Sequence, residues 1–268
     1  MNPAQIGVQL HCLRHRVRES LELALAEVAG LGLATVELNY FPGCRGNPWG
    51  DFGAAADLSA GEIAAKLRAH GLACPSVMVN EADLNPESRS NTLAWIEGVG
   101  AGTVILTALR SPAQPSATAW RDTLHRCTDH AAGCAAQGLH FGLHTQPDLW
   151  KQVDGIRPLD MLPGFLRDAG IALEYDPTGA LLSGADPAEL LDGWTGPLHA
   201  VHLRDGRRPQ QPAPYLPALA LGEGDTSWPS FLATAAAAAP AWYFLEMEVA
   251  RPEDVLSSLR SSLAFCLS

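Results

Sequence analysis

No Cys-x-x-Cys pair occurs in this chain; its cysteines stand scattered at positions 12, 44, 74, 127, 134 and 266. That spacing argues against a zinc ribbon or a disulfide framework and fits reduced thiols serving as small packing residues in a cytoplasmic protein. No G-x-G-x-x-G or G-x-x-x-x-G-K-[S/T] follows an early apolar run, which removes the usual dinucleotide and P-loop sites. No stretch approaches the roughly 18 apolar residues of a membrane span. The opening MNPAQIGVQLHC has no basic segment leading into an apolar core, so no secretory signal is expected. Positive charge is also short: 18 Lys and Arg face 29 Asp and Glu, a formal net charge of −11. A surface of that sign repels nucleic acid and anionic membranes. The expected partner is therefore a small polar molecule, with a metal to neutralise any local cluster of acid; homo-oligomerisation is left open.

The chain has 268 residues, 47% of them hydrophobic, enough for one large core spanning 1–268 as a single domain. One unit of helix, glycine and strand recurs five times, in LAEVAGLGLATVEL, LRAHGLACPSVMV, IEGVGAGTVILTA, AAGCAAQGLHFGL and FLRDAGIALEYD. In each, a helix ends, a glycine supplies a left-handed turn and a β-rich run follows. QIGVQL, PLHAVHL and AWYFLEM add three strands, and eight strands alternating with helices predict an α/β fold, a single-domain (β/α)8 TIM barrel. FLATAAAAA reads as the helix before the last strand. Barrel active sites lie in the loops after the strands. These loops are long after strands two, five and seven, and Trp49, Trp150 and Trp228 in or beside them are candidate walls for a sugar ring.

Four apolar runs in the second half end in metal-competent side chains: FGLH in His144, IALEYD in Asp176, AVH in His202 and WYFLE in Glu246. Taken singly, Asp176 also reads as a turn-forming or capping aspartate, and a lone His202 is more often a core histidine than a ligand. Glu246 is harder to explain away, because a carboxylate deep in an apolar strand needs a dedicated partner or a proton. A shared divalent cation satisfies Asp176, His202 and Glu246 together; mixed oxygen and nitrogen donors admit manganese, zinc, cobalt, magnesium or iron. Period two places Glu248 on the face of Glu246 and Glu174 on that of Asp176. Strand one offers His11 and strand two Glu37, as substrate contacts or, for Glu37, as a salt bridge at the barrel floor. Arg14, Arg204, Arg207 and Arg208 are candidate anion contacts.

The collinear segments IGVQLHCLR, GLATVEL, GLHFGLHTQ, LEYDP, VHLRD, LGEGDTSWPSF and FLEMEVARPEDVLSSLRSSLAFC resemble the sugar phosphate isomerase/epimerase superfamily, the xylose isomerase-like TIM barrels. The resemblance implies one divalent metal held by a glutamate of strand five, an aspartate of strand six, a histidine of strand seven and a glutamate of strand eight. The last three fall on Asp176, His202 and Glu246. Strand five departs from the pattern: His144-Thr145-Gln146 stands where relatives carry Glu-Asn-His or His-Asn-His. His144 is then the candidate for the missing ligand and for the second acid/base opposite Glu246. His11, Glu37, Gln146, Arg204 and Glu248 are candidate substrate contacts. The expected activity is metal-assisted isomerisation or epimerisation of a carbohydrate or small hydroxy-ketone, by proton abstraction next to a carbonyl. The alternatives are an inosose dehydratase-like lyase and a metal-free sugar-binding barrel without catalysis.

Overall fold

The computed structural model describes residues 2–42, 51–211, 217–247 and 252–268. Eight parallel strands close in chain order into a barrel: β1 (Ile6–Gln9), β2 (Val36–Asn39), β3 (Ser76–Val79), β4 (Thr103–Leu106), β5 (His140–His144), β6 (Ala172–Tyr175), β7 (Leu198–Leu203) and β8 (Trp242–Leu245). Closure pairs Ile6 with Tyr243, Gly7 with Phe244 and Val8 with Leu245. Around the strands run α1 (Arg14–Glu19), α2 (Leu21–Gly30), α3 (Ala60–Ala69), α4 (Arg89–Val99), α5 (Ala117–Ala135), α6 (Leu162–Ala169), α7 (Thr178–Ser183), α8 (Trp228–Ala237) and α9 (Val255–Leu267). The fold is the expected (β/α)8 barrel. Among the described residues no helix is long and apolar enough to cross a membrane.

The repeated unit has a local cause. Gly32, Gly71, Gly100, Gly138 and Gly170 stand between the helix and strand of the five repeats, with φ from +64° to +95°. Only glycine takes that conformation at little cost, so each helix stops there and the chain turns into the next strand. Helix starts are equally explicit: the Ser59 hydroxyl accepts from the Glu62 amide while the Glu62 side chain accepts from Ser59, and Ser20 and Ser116 cap α2 and α5.

Strand residues alternate between a shell packed under the helices and the barrel interior. Val8, Val36, Leu38, Val77, Val104, Leu143, Leu173, Val201 and Leu245 belong to the buried apolar core. The interior is polar where such barrels usually carry branched aliphatics. Gln9, Glu37, Ser76, Glu174 and His202 are all buried there, with Gln9 bonded to Asn39 and Ser76 to Glu37. Phe244 crosses the interior because residue 7 is glycine: a Cβ there would lie 2.8 Å from the Thr35 carbonyl oxygen and 2.9 Å from the Phe244 ring. The β6–β7 register shifts between Leu173 and Glu174. Such irregularities re-aim side chains, and here Glu174 enters the interior beside His202.

Candidate metal and acid–base site at the barrel mouth

His202 is the centre of the site. Strand β7 buries it completely, with Nδ1 2.6 Å from Glu246 Oε2 and Nε2 3.1 Å from Glu37 Oε2 and 3.4 Å from Glu174 Oε2. Burial opposes charge on the ring, but the surrounding glutamates, Glu174 and Glu246 foremost, outweigh it and raise the imidazole well above its ordinary pKa. The ring therefore donates in both directions. Glu37 also accepts from Ser76 Oγ at 2.5 Å; burial would raise its pKa, and the His202 hydrogen bond more than offsets that, leaving it an anion. Glu174 lies in the same layer, and burial followed by the Glu37 charge pushes it up to about 8. At neutral pH it is a neutral acid beneath the site.

Above His202, toward the C-terminal ends of the strands, the other side chains converge. Asp176 directly follows β6; its Oδ1 accepts from the Thr178 amide at 2.7 Å and the Thr178 hydroxyl at 2.6 Å. The Thr145 hydroxyl accepts from the Asp176 amide at 2.9 Å, pinning that backbone to the neighbouring strand end. The second oxygen, Oδ2, faces cationic or nitrogen groups instead: His144 Nε2 at 3.9 Å and Arg204 Nη1 at 3.6 Å. Arg204 Nη1 is also 3.6 Å from Glu246 Oε1. Burial alone would raise Glu246, but the Arg204 and His202 charges hold it well below the carboxylate range.

His144 ends β5 with Nδ1 3.1 Å from the Thr107 carbonyl oxygen. A carbonyl can only accept, so Nδ1 carries the proton and Nε2 the lone pair. That Nε2 is buried and has no hydrogen-bond partner. Burial, then the His202 charge, lowers the His144 pKa and keeps the ring neutral. His144, Asp176, His202 and Glu246 bring one potential ligand atom each within 4.8 Å of one another. The donor set suits a divalent cation, and the unpartnered Nε2 of His144 is the atom such an ion would satisfy. Glu37, Glu174 and His202 form a second, fully buried group of this kind.

The remaining sequence candidates divide. Arg204 is at the mouth, as described. Gln146 donates from Nε2 to the Leu109 carbonyl at 2.9 Å and leaves Oε1 buried and unbonded beside the strand-five end. His11 lies in the turn after β1, its ring edge-on to Phe52 at 6.2 Å. Glu37 lies fully buried on the inner side of His202, bonded to its Nε2 and to Ser76, which matches the alternative reading of a salt bridge at the barrel floor. Glu248 and Trp49 lie outside the described residues. Trp150 and Trp228 are buried; the Trp150 ring fills the space a side chain at Gly179 would need, and Trp228 Nε1 donates to Asp205 at 2.8 Å. They hold loops together rather than lining a ring site.

Asp205 is the residue sequence reasoning missed. Its carboxylate accepts from the amides of Gly206, Gly222 and Gly224 as well as the Trp228 indole, so the aspartate of HLRD organises the GEGDTSW loop. A Cβ at residue 224 would come within 2.6 Å of Asp205 and the Gly206 carbonyl, which explains the glycine there. The signal was the pairing of an acid at a strand end with a later glycine-rich loop. Thr178, which orients Asp176, was likewise passed over.

No family model matches the chain, and no curated protein matches it by sequence. Solved structures do. A sugar phosphate isomerase/epimerase from Parabacteroides distasonis ATCC 8503 superposes with a TM-score of 0.78 at 14% identity, covering 99% of this chain and 94% of that one. The probable 3-DHS dehydratase AsbF of petrobactin synthesis from Bacillus anthracis gives 0.72 at 11% identity, with 98% and 99% covered. The IOLI protein with a bound zinc atom gives 0.72 at 12% identity, with 98% and 96% covered. The chain thus shares its (β/α)8 barrel fold with solved structures described as a sugar phosphate isomerase/epimerase and a probable dehydratase.

Proposed function

We propose that this protein is a metal-assisted isomerase or epimerase of small sugars or hydroxy-ketones, working by proton abstraction next to a carbonyl. The observation that carries this reading is the convergence of His144, Asp176, His202 and Glu246 at the mouth of the closed barrel. These four residues would hold a divalent ion, which when bound polarises a carbonyl and acidifies the neighbouring C–H bond. Glu246 is the base. While Arg204 and His202 face it, its carboxylate is ionised but weakly basic. Movement of the Arg204 guanidinium onto an anionic substrate oxygen would raise that basicity and place the base over the substrate at the same time. Glu37 holds His202 through Nε2, and Thr178 holds Asp176 through Oδ1, so neither side chain rotates away during turnover.

A lyase reading rests on one specific observation. Among the described mouth residues Glu246 is the carboxylate base, and His144 has a single lone pair, which serves as ligand or as acid/base but not both at once. One-sided abstraction followed by loss of water fits such a site. Metal-loaded protein incubated with keto-sugars in D2O separates the readings. Deuterium incorporation without loss of water supports isomerisation, an enone product supports the lyase, and no exchange on any substrate supports a binding barrel. Glu246→Gln should lower turnover by at least about 1,000-fold with the melting temperature near that of the parent; full activity in that variant would remove Glu246 from the site.

A further inference from the structure

We propose that the site selects a borderline transition ion, zinc or cobalt(II), and that His144 is the residue responsible. The inference rests on the metal site proposed above and concerns which ion it takes. Each of the four side chains brings one donor atom to the common point. Asp176 Oδ1 is occupied by the Thr178 amide and hydroxyl, leaving Oδ2. Glu246 has Oε1 3.6 Å from Arg204 Nη1 and Oε2 2.6 Å from His202 Nδ1, beside the other donors. His202 Nε2 is held by Glu37, and its Nδ1, bonded to Glu246 Oε2 in the metal-free site, would give up its proton to become the donor. His144 Nδ1 is held by the Thr107 carbonyl, leaving Nε2.

The result is two nitrogens and two single carboxylate oxygens. Calcium gathers six to eight oxygens and magnesium an octahedron of them. Zinc accepts four protein donors and can expand to take a substrate oxygen as well, and imidazole nitrogen suits zinc and its neighbours in the series better than it suits magnesium or manganese. Two carboxylates also neutralise one dication, so no further acid is required. A strand-five histidine fixed in its Nε2-donor tautomer is therefore a selectivity element: an acid there would make the set three oxygens and one nitrogen, with one more negative charge.

The test uses the full chain freed of metal with a chelator and titrated calorimetrically with Zn2+, Co2+, Mn2+ and Mg2+. Zinc outcompetes magnesium at most nitrogen-containing sites, so the diagnostic quantity is the change in the Zn/Mg and Co/Mn affinity ratios on His144→Glu, expected to fall at least about tenfold. Unchanged ratios in a variant that melts like its parent would overturn the inference while leaving a metal site in place. Failure of every ion to bind stoichiometrically to the parent would instead overturn the metal reading itself. Proton NMR of the cobalt(II)-loaded parent is independent of any variant's folding. Two hyperfine-shifted exchangeable ring N–H signals are expected, from His144 Nδ1 and His202 Nε2; a single signal would place His144 off the metal and overturn the proposal.

Discussion

Asp176 and Asp205 stand at the C-terminal ends of neighbouring strands and are almost equally buried, 3% and 0% exposed, yet they are different kinds of residue. Both oxygens of Asp205 are filled by N–H donors: Gly206 and Thr226 on Oδ1, Gly222, Gly224 and the Trp228 indole on Oδ2. Asp176 receives the two Thr178 donors on Oδ1, and its Oδ2 is turned toward Arg204 and His144. A third buried acid, Glu174, has hydrogen bonds to neither oxygen and keeps a proton instead. Burial makes every one of these carboxyl groups costly, and what offsets the cost decides the role. N–H donors make a structural hub, cations make a site, and a proton makes a neutral filler.

The comparison breaks most visibly at the hub. Asp205→Ala orphans several buried N–H groups together and should cost about 4 kcal/mol of stability, read by chemical denaturation. A loss below about 1 kcal/mol would show that the loop does not depend on this aspartate.

Glu174 gives the next largest effect, and its sign is set by its raised pKa. The folded state holds the proton up to about 8 whereas the ordinary value is 4.5, so this group's contribution is fully present below 4.5 and is lost as pH rises through 8. The metal-free protein should weaken between pH 5 and pH 9, while Glu174→Gln, which mimics the neutral acid, should be more stable than the parent by about 3 kcal/mol at pH 9 and nearly equal to it at pH 5. A difference that did not change with pH would mean that Glu174 is ionised in the fold.

Asp176→Asn should leave the metal-free protein within about 1 kcal/mol of the parent and weaken metal binding roughly 100-fold. Asp205→Ala should do the reverse, acting on stability first. If the two variants shifted stability and metal affinity in the same proportion, the distinction between hub and site would be lost.

These roles were unevenly legible in the sequence. The barrel was readable because its grammar is local: a glycine that must turn left-handed, followed by an apolar run, five times over. The convergence of Asp176, His202 and Glu246 was readable because strand ends share one rim of the barrel. What fills the other oxygens was not readable. Apart from the adjacent Gly206, the donors to Asp205 lie 17 to 23 residues downstream in the glycine-rich loop and at the start of α8, and the group that orients His202 is 165 residues away in β2. The tautomer of His144 depends on a backbone carbonyl, that of Thr107, which has no residue-type signature at all. The β6 irregularity that brings Glu174 beside His202 is likewise a property of the closed sheet.

The smallest effect sharpens the comparison furthest. Thr178 does for one oxygen of Asp176 what the glycine amides do for both oxygens of Asp205, with the difference that its purpose is to aim the other oxygen. Thr178→Val conserves shape and keeps the backbone donor while removing the hydroxyl, so Asp176 gains rotational freedom without losing its burial. Loss of a supporting hydrogen bond to a ligand weakens metal binding by about tenfold, and a single neutral hydrogen bond contributes about 1 kcal/mol to stability. Thr178→Ser restores the hydroxyl and should recover most of the affinity. Recovery in serine, which loses the methyl, but not in valine, which keeps the shape, separates aiming of Asp176 from simple packing at residue 178. Equal affinity in all three proteins would mean that the amide alone orients the carboxylate, and Asp176 would then differ from Asp205 only in what stands opposite its second oxygen.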